Sequence, residues 1–148
     1  MVIQRLQTVY LLLAAILMAV FTFMPVMNVL NDAGEYVLNA VSTGFVGAPT
    51  SPCWLLLCMD VLIVALLFIT VFKYKNLPLQ MKLCKIGVLL IVALLVSIFV
   101  MWYMQRGHGI ALMSLWTILP FVAIFLTLLA HKGIKSDKKL LSDSERLR

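Results

Sequence analysis

Long apolar runs broken by short polar stretches set the pattern of the chain. The runs cover residues 9–27, 53–72, 86–104 and 110–130. A helix needs roughly 20 apolar residues to cross a hydrocarbon core about 30 Å thick, and each run meets that length. Backbone polar groups inside lipid must pair within their own segment, so the runs are predicted to be helices. The predicted fold class is all-α: a polytopic bundle of four transmembrane helices forming one domain over residues 1–148. An outer loop at 28–52, a cytoplasmic turn at 73–85 and a cytoplasmic tail at 131–148 complete it.

Basic residues in the connections orient the bundle, because Lys and Arg collect on the cytoplasmic side. Arg5 precedes the first span. Lys73, Lys75, Lys82 and Lys85 lie in the turn between spans two and three. Lys132, Lys135, Lys138, Lys139, Arg146 and Arg148 lie in the tail. The loop at 28–52 has neither Lys nor Arg, and the turn after span three has Arg106 alone. Both termini are therefore expected inside. Trp54, Trp102, Tyr103 and Trp116 fall toward the outer ends of the spans, with Tyr10 and Tyr74 at inner ends, as an interfacial belt requires.

Composition agrees with the pattern. Of 148 residues, 64% are hydrophobic and 12% charged, and the mean hydropathy is +1.08. Soluble domains carry about 25% charged residues, so that class is excluded. The net charge of +6 concentrates on the inner face. It reads as positive-inside topology with attraction to anionic headgroups, so membrane lipids are expected partners. Nucleic acid is not, since no binding module fits in tails and turns this short. The first run is too long for a signal-peptide core, and no small-x-small cleavage site follows it before Pro25, so it reads as an uncleaved span.

The connections carry weaker signals. Asn31-Asp32-Ala33-Gly34 resembles a turn, and residues 35–41 favour a strand, so a short β segment over the bundle is expected. Pro78 breaks the inner turn before span three. The tail could extend span four, lie on the membrane or dock on a partner. Ser142-x-x-Glu145 matches a capping box, but few residues follow.

Asp60 is the one ionisable residue well inside a run. Intramembrane carboxylates are costly and are functional candidates by default. Its helix neighbours Leu56, Leu57, Ile63, Val64 and Leu67 form no polar path. A structural role is therefore favoured, with the group neutral or paired with Arg106 or a hydroxyl such as Ser97. Pro120, midway along span four, predicts a static kink. Small residues share faces: Thr8, Ala15, Ala19 and Thr22 on span one, and Pro120, Ala123, Thr127 and Ala130 on span four. Such faces let helices approach closely in lipid.

Other chemistry is missing from the sequence. Cys53 and Cys58 point to different helix faces, and Cys84 lies on the reducing side. His108 and His131 are on opposite sides of the membrane, so no shared metal site is expected. There is no phosphate-binding glycine loop, zinc-protease helix or nucleophile elbow. The expectation is no enzyme, no metal and no cofactor.

The opening Ile3-Gln4-Arg5-Leu6-Gln7-Thr8-Val9-Tyr10 resembles the start of a four-span family of Bacteroidota, the domain of unknown function number 4293. Tyr74-Lys75-Asn76 with Leu79-Gln80-Met81-Lys82-Leu83-Cys84-Lys85 is similar to its middle signature. Leu119-Pro120, Ile134-Lys135, Asp137, Leu140-Leu141 and Arg146-Leu147-Arg148 match its end. Lys138 departs from the pattern, since the family often has an acidic residue there. The resemblance implies a bacterial inner-membrane location and a shared contact on the cytoplasmic face. Its residues would be Gln4, Arg5 and Gln7, then Lys75, Asn76, Gln80, Lys82 and Lys85, then Lys135, Asp137, Arg146 and Arg148. The leading expectation is a non-enzymatic accessory or scaffolding subunit, with a membrane-protein partner or a homo-oligomer. The alternative is a small proton-coupled transporter using Asp60.

Overall fold

Why the apolar runs end where they do is settled by the turns between them. The computed structural model describes residues 2–32, 34–45, 51–107 and 109–147, without the side chains of 2–5, 45, 51 and 52. The helices are α1 (Val2–Phe21), α2 (Trp54–Phe72), α3 (Leu77–Gln105) and α4 (Ile118–Arg146). Four strands, β1 (Pro25–Asn31), β2 (Gly34–Asn39), β3 (Ser42–Phe45) and β4 (Ser51–Pro52), join α1 to α2. A fifth, β5 (Ile110–Met113), lies between α3 and α4. The chain is thus mostly helical with a small antiparallel sheet.

The helices form a ring: α1 packs on α2 and α4, and α3 packs on the same two. Leu11, Met18 and Phe21 of α1, Leu56, Ile63 and Leu67 of α2, Ile91 and Leu94 of α3, and Ala123, Ala130 and Ile134 of α4 fill the centre. The outward faces are apolar as well, with Ile16, Leu62, Leu89, Val96, Phe121 and Phe125 exposed. A helix apolar on every side suits lipid rather than water. By length and composition α2, α3 and the stretch Leu115–Arg146 are long and apolar enough to cross a membrane, and Leu6–Phe21 is a shorter apolar helix.

Two of the four runs are not single helices. The run at 9–27 splits at residues 22–24, where Phe23 and Met24 N–H donate three residues back, to Val20 and Phe21, each at 3.1 Å. Pro25 then disfavours helix in the residue before it, and residues 25–27 enter β1. The run at 110–130 splits too, because 110–113 pairs with β1 from Met27↔Met113 to Leu30↔Ile110. Four apolar residues read alike as helix or strand, and the open edge of β1 decides between them. Gly109 permits the approach: a Cβ there would lie 2.6 Å from the Leu30 carbonyl oxygen and nearer still to Asn31 Oδ1.

The later start of α4 corrects the reading of Pro120. It is the third residue of α4 rather than a mid-span kink. In a first helical turn its missing N–H has no intrahelical partner to lose. The tail likewise is no separate segment, since α4 runs unbroken to Arg146. Ser142 caps nothing at a helix start; its hydroxyl donates back to Lys139 O at 2.9 Å.

The sheet has the order β4-β3-β2-β1-β5. The β1–β2 hairpin closes at Asn31↔Gly34, where Gly34 has φ 129°, a conformation that favours glycine. Val26, Val29, Leu38 and Ala40 are buried, so one face of the sheet closes the bundle end where α1 stops and α2 starts. The opposite end carries the lysines.

Candidate functional site

Asp60 faces the core from α2 and is fully buried. Its Oδ2 is hydrogen-bonded to Thr22 Oγ at the end of α1, and its Oδ1 has no partner among the described residues. Thr22 Oγ also lies 3.2 Å from Met18 O. The partners expected from sequence are elsewhere. Ser97 donates to Leu94 O at 2.7 Å, and Arg106 stacks 5.3 Å over the Trp102 ring. Trp102 in turn donates to Ala111 O of β5 at 3.1 Å, which ties α3 to the sheet. Thr22 belonged to the small-residue stripe, so its position was visible, but its role as the carboxyl partner was not.

The small-residue faces turn inward. Ala15 is buried, Ala19 and Thr22 are half-buried, and Pro120, Ala123, Thr127 and Ala130 are all buried on α4. Thr127 returns its hydroxyl to Ala123 O at 2.7 Å, so its polar group is satisfied within its own helix.

Three residues expected on a cytoplasmic contact surface are internal instead. Gln7 Nε2 donates to Asp137 Oδ2 at 2.7 Å, and both side chains are buried. Gly133 makes room for this bond: a Cβ there would lie 2.8 Å from Gln7 Cγ and 3.0 Å from Nε2. Gln80 is buried and reaches Thr70 O at 3.4 Å, linking α3 to α2. These are ties between helices, because an unpaired polar group in such surroundings would carry a desolvation cost of about 1–3 kcal/mol. Lys75, Asn76, Lys82, Lys85, Lys135 and Arg146 are exposed, as a contact surface requires. The side chains of Gln4 and Arg5, and residues His108 and Arg148, lie outside the described set.

The exposed lysines are ordered by α4. Lys132, Lys135, Ser136, Lys139 and Ser142 follow at steps of three and four, so they share one face. With Met81 of α3 they line a groove of about 630 Å³. One turn nearer the bundle centre, Cys84, Lys85, Val88, Leu128 and His131 line a second cavity of about 270 Å³. His131 Nε2 is buried and has no hydrogen-bond partner among the described residues. Lys132 and Lys139 were read only as part of the tail charge; their helical spacing with Lys135 was the signal for a groove.

The remaining candidates are quickly placed. Cys53 and Cys84 are buried free thiols and Cys58 is an exposed one. Among the described residues no three His, Cys, Asp or Glu side chains come together as a metal site.

No curated protein matches the chain. A family does: the chain belongs to the domain of unknown function family DUF4293, which matches residues 3–147.

Proposed function

We propose that this member of the family is a four-span protein of a bacterial inner membrane, with both termini cytoplasmic, serving as a non-enzymatic accessory or scaffolding subunit. The 20 residues of α1 reach about 30 Å, the thickness of a hydrocarbon core, and their apolar part, Leu6–Phe21, is shorter than the other three spans. The 29 residues of α4 reach about 44 Å, which exceeds that thickness and leaves its last turns outside lipid.

Those last turns carry the reading. Leu140, Leu141 and Leu147 are exposed among Lys138, Lys139, Asp143, Glu145 and Arg146. Exposed leucines gathered at the end of a helix that has left the bilayer suit an interaction surface. Lys75 and Lys82 stand exposed on the neighbouring elements. A protein partner touching both regions accounts for the arrangement.

Tagged full-length protein, purified in a gentle detergent, is compared with a chain truncated after Lys139. Residues 140–147 are exposed, so this cut spares the bundle, whereas a cut at His131 would remove buried Ile134 and Asp137. A stoichiometric partner that disappears with the truncation supports the reading. The same composition from both samples overturns it.

A second reading, a proton-coupled transporter working as a homo-oligomer, is favoured by one observation, the Oδ1 of Asp60 that has no partner among the described residues. Reconstituted vesicles should then show proton flux that Asp60→Asn abolishes. Equal flux from both proteins sinks that reading.

A further inference from the structure

We propose that the seam between α3 and α4 at the lysine end is a binding site for one anionic phospholipid, with its phosphate held by Lys132, Lys135 and Lys139. This deepens the membrane-spanning reading above and rests on it. The groove of about 630 Å³ is lined by these three lysines and Lys138, with the hydroxyl of Ser136 among them. Ammonium and hydroxyl donors suit phosphate oxygens, and basic pockets between helices at the cytoplasmic leaflet favour anionic headgroups.

What selects a lipid over a free phosphate is the second cavity. It lies along the same seam, since Leu128 and His131 are one turn of α4 below Lys132 and Lys135, and Cys84 and Lys85 are one turn of α3 beyond Met81. From Lys139 to Leu128 the helix rises about 17 Å. Along that rise the lining passes from lysines to Val88 and Leu128. A phosphate ion has no use for the apolar half. A phospholipid matches it, with its headgroup at the lysines and the start of an acyl chain against Val88 and Leu128. His131 Nε2, buried and unpartnered among the described residues, sits at the junction, where the ester oxygens would lie.

The acidic residues of α4 do not cancel the site. Asp137 is turned to the other face and bound by Gln7, and Asp143 and Glu145 lie past Ser142 at the helix end.

The full chain in mild non-ionic detergent is titrated with phosphatidylglycerol, phosphatidylcholine and inorganic phosphate. Bound lipid is counted by native mass spectrometry, and affinity is read from the unfolding temperature. Two variants remove equal charge from exposed positions: Lys135→Gln/Lys139→Gln in the groove and Lys73→Gln/Lys75→Gln in the turn. Glutamine matches lysine in helix propensity, so the fold should persist. The expected result is one retained phosphatidylglycerol, bound about tenfold or more tightly than phosphatidylcholine. The groove variant should lose that preference and the turn variant keep it. Equal affinity for the two lipids, an equal loss in both variants, or full protection by inorganic phosphate alone would overturn the proposal. Alkaline washing of cell membranes separates the two levels. Wild-type protein lost to the wash sinks the membrane-spanning reading. Protein retained without a lipid preference sinks the headgroup site alone.

Discussion

Asp60 and Asp137 are both buried, one bound by the first residue after α1 and the other by a side chain of α1, yet the two ties are built differently. Asp60 meets the hydroxyl of Thr22 near the sheet end, and Asp137 meets the amide of Gln7 near the lysine end. Thr22 has one hydroxyl proton and two acceptors near it, Asp60 and Met18 O. Gln7 gives Asp137 a direct N–H at 2.7 Å, and Gly133 clears the path. Thus α1 is pinned to α2 at one end and to α4 at the other. The deeper tie is the weaker in design, because its carboxyl has an oxygen with no partner among the described residues.

The largest contrast should come from breaking the better-made tie. Gln7→Leu strands a buried carboxylate and should cost about 3 kcal/mol. Asp137→Leu strands only an amide and should cost about 2 kcal/mol. The double variant should cost well below the sum, since removing both partners leaves nothing unsatisfied. Unfolding by sodium dodecyl sulfate in mixed micelles measures all three. Strict additivity would mean that the hydrogen bond couples nothing.

At the other end the effects should be smaller. Thr22→Val keeps the shape and removes the hydroxyl, and should cost about 1 kcal/mol. Asp60→Asn retains a hydrogen-bonding group toward Thr22 and should cost less than about 1 kcal/mol. If Asp60→Asn instead proves as damaging as Gln7→Leu, then a charge at Asp60 matters to the fold and the order of the two ties is reversed.

Much of this is legible in the amino-acid sequence. The long apolar stretches, the small-residue faces of α1 and α4 and the gathering of lysines at one end follow from periodicity and charge. The position of Asp60 inside a leucine-rich span does too. What escaped was decided by neighbours distant in sequence. Residues 110–113 form a strand because β1 leaves an edge there, and no local signal separates Ile-Ala-Leu-Met in a strand from the same residues in a helix. Asp137 looked solvated because lysines surround it in sequence. Yet the buried positions Ala123, Thr127, Ala130, Ile134 and Asp137 continue one helical stripe into the charged tail. Following that stripe past residue 130 would have placed Asp137 inside and opposite α1. For Gln7 the sole hint was a glycine, Gly133, in the facing helix.

Gly133 offers the finest discrimination between the ties, because its substitution should change sign with the background. Alanine in a helix interior is favoured over glycine by about 1 kcal/mol. In the native protein that gain is opposed, since the new methyl group would stand 2.8 Å from Gln7 Cγ and 3.2 Å from Cδ. Displacing Gln7 weakens its bond to Asp137, so Gly133→Ala should be neutral to destabilising by about 1 kcal/mol. In a Gln7→Ala background the obstruction is gone, and Gly133→Ala should stabilise by about 1 kcal/mol. The same substitution at Gly87, whose added Cβ would meet only Leu66 and Leu67 side-chain carbons at 3.4 and 3.5 Å, should be insensitive to Gln7. A Gly133→Ala effect of one sign in both backgrounds would show that the glycine serves helix packing in general and not the Gln7–Asp137 tie.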